Sequence, residues 1–514
     1  MNYTSKISQN GLKIISRKIL IANNHLRLIN LITIGSLLFC ISSALAQNTT
    51  ITFHTKGNSR IDISKEIDNT YNSSLTNQIN ADSTGNCIYS WDVNGFQFIE
   101  CTFYDDGSIF FPIKEGSHLT ITYKGDFQVE ISGADKAEVE YYRNEYKDII
   151  TRPLMISSAT FPAESNIKDI PVLFSKYDTL LSNTLDSLAT IKTISPKFSN
   201  IVRNDFQTFM TCLSIGLYQT KYVENGATKV NKQDSIEAER AINRLLDKTY
   251  PMVESGEIFK YTLGRNILSS FYKNKYIHLN EKEKEILLSK ATWAKYLEPK
   301  ELGYLIAPKE VQCKLLSLKL LDNYRNAEIK GNSEFLNYIS EICPQSAFLP
   351  YLKEEQKKLS VSMNADHNEV KYVEDTINTL KDLSKVAAFN QKILFIDLWA
   401  TWCGPCIAEF KHKDKLHELL SNYKDVIPLY ISIDKDKNDK LWREKTKAFN
   451  LNGYHLRANE RLTTDIHEKI YEEGGVMGIP QFVLLDKDGN ILEKNLPWPH
   501  DMDKLKQELN KYIH

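Results

Sequence analysis

The stretch KILFIDLWA, residues 392–400, is apolar at consecutive positions after Lys392, with Asp397 as the one charge within the apolar run. A strand exposed on one face would alternate. An unbroken run suits a strand buried on both faces, which demands sheet neighbours and covering layers. The chain then turns through TWCGPC, Thr401–Cys406, into CIAEFKHKDKLHELLSNY, where Ile407, Phe410, Leu416, Leu419 and Leu420 recur at helical spacing. A buried strand feeding a helix through a tight turn commits this part of the chain to an α/β layer structure.

The flanking text agrees. VIPLYISID (426–434) reads as a second buried strand, EVKYVED (369–375) as an opening strand and GYHLR (453–457) as a short one. NDKLWREKTKAFN, RLTTDIHEKIYEE and DMDKLKQELNKYI are helical, and IPQFVLLDKDGNILEKN is a hairpin turning at Asp488-Gly489. Residues 360–514 are therefore expected to form a central mixed sheet with helices on both faces.

Cys403 and Cys406 stand where that helix starts. Unpaired backbone N–H groups there carry partial positive charge, and the first thiol of a Cys-x-x-Cys unit so placed titrates near ~7 instead of ~8.5. Cys406, one turn further in, faces the same side and is placed to attack a mixed disulfide formed on Cys403. Pro405 fits the first turn, where its missing N–H costs no hydrogen bond. Zinc needs about four ligands, whereas no second Cys-x-x-Cys exists and His412 and His417 have the wrong spacing. A structural bridge over so short a loop stabilises little. Thiol redox exchange remains, with no metal and no cofactor beyond the cysteine pair. A peroxidase would need a single reactive cysteine, which the paired motif argues against. DKDKND (434–439) starts like a calcium loop but lacks the sixth-position glycine and carries Lys445 at the closing glutamate position, so it reads as a solvated loop.

At 514 residues the chain has room for about three domains. Residues 47–133 are short aromatic and β-branched pieces such as ITFHTK, FQFIECTFY, SIFFPI, HLTITYKG and FQVEIS, which predict an antiparallel β-sandwich. Across residues 134–359 the period changes to three and four, predicting an all-α domain punctuated at helix ends by Pro153, Pro251 and Pro344. No solenoid repeat is detectable there. Its tyrosines read as core at helical spacing, with a binding groove as the alternative. The formal charge of −1, from 64 basic and 65 acidic side chains, offers no field for nucleic acid.

At the amino terminus, LRLINLITIGSLLFCISSALAQ sets Arg27 before an apolar run, Leu28–Ser43, and Ala44-Leu45-Ala46 after it. That is the pattern of a cleaved export signal over residues 1–46. An uncleaved membrane helix is one alternative, although the run falls short of ~20 apolar residues; lipidation at Cys40 is the other, although Phe39 stands where a small residue would be expected. An oxidising compartment then permits disulfides, but the remaining cysteines are too few for a disulfide scaffold. Cys87 and Cys101 either pair across a sheet or stay apart as buried thiols. Cys212, Cys313 and Cys343 fall in helical patterns and read as small apolar core residues.

ILFIDLWATWCGPC, together with GIPQFVLLDKDGNI further on, resembles the thioredoxin superfamily, and most of all its exported TlpA/ResA-like branch of thiol-disulfide oxidoreductases. The resemblance covers roughly residues 369–514. It implies a thioredoxin fold, Cys403 as the attacking thiol and Cys406 as the resolving one. It also implies a cis Pro480 against the disulfide, with Ile479 offering backbone to an extended substrate. Trp402, Gly404 and Pro405 complete the implied substrate-contacting surface. Asp397 matches a buried acid that exchanges a proton with Cys406; the alternative is a polar residue facing water at the strand end. Glu409 matches a glutamate common in the branch, Lys411 stands where the branch often has a kinking proline, and Asn450–Arg461 resembles the branch's insertion. Implied partners are disulfide-bearing exported proteins and a membrane electron donor. Gly404-Pro405 is similar to reducing members, so reduction is the expected direction. The layout of the front half loosely resembles multidomain relatives, as a recognition or dimerisation unit. The rival is a ligand- or partner-binding protein to which the redox domain is accessory.

Overall fold

The computed structural model describes residues 48–513 apart from 73–74, 104–106, 126–127, 151–168, 220–221, 223–231, 292–293, 295–296, 300, 329, 374–375 and 472–477. The export signal and Pro153 lie outside the described residues.

Among the described residues eight strands come first: β1 (Thr49–His54), β2 (Arg60–Ser64), β3 (Thr76–Asn80), β4 (Asn86–Trp91), β5 (Phe96–Phe103), β6 (Gly107–Lys114), β7 (His118–Tyr123) and β8 (Val129–Gly133). They form two four-stranded sheets, ordered β4-β1-β7-β8 and β3-β2-β5-β6. The expectation of a wholly antiparallel arrangement needs correction, because β1 pairs with β7 in parallel. A parallel neighbour requires a long crossover, and the whole excursion through β2 to β6 supplies it. Phe103 of β5 stacks on Tyr123 of β7 at 4.1 Å and meets Phe53 of β1 edge-on at 6.1 Å, so the sheets face each other through aromatic rings. Cys87 on β4 and Cys101 on β5 lie in different sheets, and both are free thiols.

Helices follow: α1 (Lys136–Tyr141), α2 (Asp169–Thr190), α3 (Pro196–Tyr218), α4 (Lys232–Glu254), α5 (Gly264–Ile277), α6 (Glu281–Lys290), α7 (Lys309–Arg325), α8 (Asn332–Ile342) and α9 (Leu349–Met363). Pro251 lies inside α4, in its closing turn and not beyond it as its sequence context predicted. There its missing N–H removes one helical bond to the preceding turn. One continuous apolar core runs from Ile51 to Leu352, so the boundary near residue 133 separates two patterns but not two cores. The tyrosines are part of it: Tyr142 packs 5.7 Å from Phe98, and its hydroxyl and that of Tyr146 each donate to the buried Asp205 at 2.9 Å. Cys313 of α7 and Cys343, which caps α8, are joined in a disulfide, correcting the expectation of two lone core thiols. Helical spacing reports burial but not which helices face one another, and only the packing of α8 on α7 brings these residues together.

The last part holds a six-stranded sheet ordered β14-β13-β10-β11-β12-β9, from β9 (Val370–Tyr372), β10 (Ile393–Trp399), β11 (Val426–Ser432), β12 (Gly453–Arg457), β13 (Gln481–Leu485) and β14 (Ile491–Glu493). The pairs β10–β11, β11–β12 and β12–β9 are parallel, while β13 runs antiparallel to β10 and to β14. Among the described residues five α-helices accompany it: α10 (Gly404–Glu409), α11 (Lys413–Ser421), α12 (Asp439–Ala448), α13 (Glu460–Ile470) and α14 (Met502–Leu509). Leu394, Ile396 and Leu398 of β10 enter the core on one face, whereas Phe395 and Trp399 enter cores on the other. That is the double burial the apolar run demanded. Gly489 turns the closing hairpin at φ 79°, a conformation that favours glycine.

The Cys313–Cys343 bridge closes a separation of 30 residues. Replacing both cysteines by serine is expected to lower stability by roughly 2–4 kcal/mol in denaturant unfolding. Reduction and reoxidation of the Cys403–Cys406 pair should be unaffected.

Candidate redox site

The site starts where β10 ends. The turn Ala400–Trp402 is held by Asp434, which directly follows β11 and Ile433. Its carboxylate accepts from Thr401 N at 2.7 Å, Thr401 Oγ1 at 2.7 Å, Ser432 Oγ at 2.8 Å and Asn438 Nδ2 at 3.3 Å. Lys445 of α12 reaches the same turn and donates to the Thr401 carbonyl at 3.0 Å. Asp434 is 1% exposed and Lys445 4%, so the start of the DKDKND stretch is no solvated loop, and the sequence expectation is corrected here. Buried polar groups persist where every one is bonded. The missed signal was position, for an acid immediately beyond a doubly buried strand has little water to face.

Past the turn, Cys403 caps α10. Its Sγ accepts from the Cys406 backbone N–H at 3.1 Å, and the two cysteines are joined in a disulfide. That sulfur lies 3.6 Å from the Ile479 carbonyl oxygen, and the Ile479–Pro480 peptide is cis. Both cysteines are buried, while Trp402, at 64% exposure, stands in solvent with Gly404 and Pro405 beside it. The geometry therefore presents a sunken disulfide ringed by Trp402, Gly404, Pro405 and Ile479. The helix is broken: α10 stops at Glu409, a 3₁₀ turn spans Phe410–His412, and α11 begins at Lys413. The interruption occurs with Lys411 in place of proline. Phe410 marks it, with its ring 5.2 Å from Trp399 and 5.3 Å from Phe449.

Asp397 sits in β10 opposite Tyr430 of β11 and Phe482 of β13, on the strand face that also carries Phe395 and Trp399. It does not face water. Its exposure is 5% and its Oδ1 has no hydrogen-bond partner. Burial, and then the nearby Glu409 carboxylate, push its pKa up to about 8. Glu409 is itself buried and bonded to His500, a residue the sequence did not single out. His412, also buried, is pushed down to about 4 by desolvation. The segment Asn450–Arg461 supplies β12, a full strand between β11 and β9, and its Arg457 pairs with Asp436 and Asp439. Among the described residues no cluster of His, Cys, Asp and Glu could hold a metal ion.

A mixed sheet whose central strand delivers a Cys-Gly-Pro-Cys disulfide to a helix start, opposite a cis proline, defines a thiol-redox domain of the thioredoxin type. Residues 390–491 match the family model described as Thioredoxin-like. The chain is 26% identical over 159 residues to the thiol-disulfide oxidoreductase ResA of Bacillus thuringiensis subsp. konkukian, covering 31% of this chain and 80% of that protein. It is 28% identical over the same length, with the same coverage, to ResA of Bacillus anthracis. Among solved structures, the solution structure of a putative thiol-disulfide oxidoreductase from Bacteroides vulgatus matches at 33% identity, 24% of this chain, 78% of that chain and a TM-score of 0.20. The carboxy-terminal domain belongs to the thioredoxin superfamily, in its ResA/TlpA-like class, and the protein is an oxidoreductase.

Asp397 has a consequence for stability. Its folded-state pKa near 8 stands above the ordinary 3.8, so between those values the folded chain holds a proton that the unfolded chain has lost. Stability contributed by this residue is present below the lower value and falls as pH rises through the upper one. Asp397→Asn, with the disulfide intact, should therefore gain on the native chain by roughly 2–5 kcal/mol between pH 4 and pH 8, and no further beyond. Denaturant unfolding at a series of pH values reads this directly. A gap independent of pH would place the acid in water.

Proposed function

We propose that the protein is an exported thiol–disulfide oxidoreductase that reduces disulfides of exported proteins through Cys403 and Cys406. The observation that carries this is the sunken Cys403–Cys406 disulfide at a helix start, against the Ile479 carbonyl, with a buried acid on the strand that leads into it. In the reduced chain the Cys403 thiolate attacks a substrate disulfide. The substrate S–S bond breaks, a Cys403–substrate disulfide forms, and one substrate thiolate leaves. Asp397 accepts the Cys406 proton, and the Cys406 thiolate attacks Cys403 Sγ. The second substrate thiolate leaves and the Cys403–Cys406 bond closes. Two electrons have passed to the substrate, so a dithiol donor must return them, and a membrane electron donor fits an exported enzyme. Trp402, Gly404, Pro405 and Ile479 form the rim against which an extended substrate segment lies. Export rests on the amino-terminal signal pattern; among the described residues no helix is long and apolar enough to cross a membrane.

The front of the chain contributes a wall. A cleft of about 390 Å³ runs between Ile407, Ala408 and Lys411 of the active-site helix region and Asp62, Glu100, Arg325 and Glu355 of the front body. This favours the front half as a selector of substrates over an independent binder with an accessory redox domain.

Redox titration in thiol buffers, followed by Trp402 fluorescence, tests the direction. A potential near about −270 mV agrees with reduction, and one near about −120 mV would make the protein an oxidant. A Cys406→Ser trap is expected to hold several exported proteins as mixed disulfides. Partners retained equally by a Cys403→Ser/Cys406→Ser chain would instead favour the binder.

A further inference from the structure

His500 lies in the segment before α14, far in sequence from the cysteine motif, yet it grips Glu409 at two points. Its backbone N–H donates to Glu409 Oε2 at 3.0 Å, and its Nδ1 lies 3.0 Å from Glu409 Oε1. The Glu409 side chain is only 10% exposed, whereas that of His500 is 43% exposed and reaches solvent. Glu409 in turn is the charge that, after burial, acts on Asp397 among the described residues. A buried acid on the strand that leads into the cysteine motif is thus linked, through one carboxylate, to a histidine that reaches solvent. Nothing in the stepwise exchange above uses His500.

We propose that His500 is a positioning residue for the exchange reaction: by holding and balancing the Glu409 carboxylate, its charge sets how readily Asp397 takes up the Cys406 proton. The inference rests on the exchange reading given above. With His500 protonated, the Glu409 charge is paired and ionisation of Asp397 meets less repulsion. With His500 neutral, the Glu409 charge acts on Asp397 unopposed and keeps it protonated. Glu409 holds His500 in the charged form above the usual histidine range, aided by Asp501 and opposed by burial and by Lys411. His412, with its ring 6.5 Å away, also faces it but is held neutral by desolvation. Asp501 is itself paired with Lys504. Around Asp397 the other titratable neighbour is Tyr430, whose hydroxyl is bonded to His417 at 3.0 Å. The His500–Glu409 pair is thus the switchable charge in this surround, and histidine is the side chain suited to switching near neutral pH.

A single-turnover reaction of the reduced full-length protein with an aromatic disulfide separates the steps. Attack by Cys403 releases one coloured thiolate. Attack by Cys406 on the resulting Cys403–aryl disulfide releases the second, so the pH midpoint of the second phase reads Asp397. His500→Asn keeps an N–H donor but removes the charge. It should raise that midpoint by about one unit and slow the second phase about three- to tenfold at pH 7, leaving the first phase within about twofold. His500→Lys restores the cation and should restore the midpoint. Glu409→Gln should lower it, and His500→Asn should add nothing in that background. Equal slowing by both His500 variants at every pH, or an unmoved midpoint in His500→Asn, overturns the proposal. Absence of a second phase in the native chain would instead sink the exchange reading beneath it.

Discussion

Four hydrogen bonds converge on Asp434, and the redox site depends on them. The turn between β10 and α10 must leave a strand that is buried on both faces and start a helix within a few residues. Its backbone has no ladder to join. The Asp434 carboxylate takes Thr401 N and Oγ1 and is itself fixed by Ser432, while Lys445 satisfies the Thr401 carbonyl. Bonds to ionised groups are shorter and stronger than neutral ones, and in a buried setting the loss of one partner strands the other. The direction of the Cys403 side chain is therefore inherited from a carboxylate just past the end of the next strand.

Two buried acids flank this turn with opposite arrangements. Asp434 is saturated with donors and holds backbone in place. Asp397, on the preceding strand, keeps one oxygen without a partner and carries a strongly raised pKa. A saturated carboxylate cannot serve as a proton acceptor without dismantling the turn, whereas an undersatisfied one can accept a proton and gain by it. Stability is lost at Asp397 and recovered in the surrounding core, a division expected where a fold carries chemistry.

The layering of the redox domain was legible in the sequence because each signal was local. The unbroken run through β10, the helical period after Cys406 and the Asp488-Gly489 turn each specify one element without reference to another. Cys403 and Cys406 stood out as a short motif at an element junction, whereas Pro480 was reached only through the resemblance to the thioredoxin superfamily. What escaped needed a partner from elsewhere in the chain. Asp434 and Lys445 matter because β11 and α12 come back to the turn, and His500 matters because the segment before α14 closes over Glu409. Cys313 and Cys343 likewise look like isolated core thiols until α8 packs on α7. In the front, β2 and β3 are short and polar, and a sheet made with a parallel β1–β7 pair cannot be inferred from hairpin signals alone.

The continuous core from Ile51 to Leu352 bears on how the front body acts on the redox site. Separate domains on flexible linkers would present the cleft beside Ile407 and Ala408 with variable width. Here the β sheets and helices that line one wall share a single packed interior, and close-packed interiors transmit displacement without absorbing it. The wall also meets the redox domain away from the cleft, where Ser362 of α9 donates to the Ala448 carbonyl of α12 at 2.7 Å. Because α12 also carries Lys445, a shift of the front body would be felt at the turn before Cys403 as well as along α10. The front body and the cysteine geometry are in that sense mechanically joined.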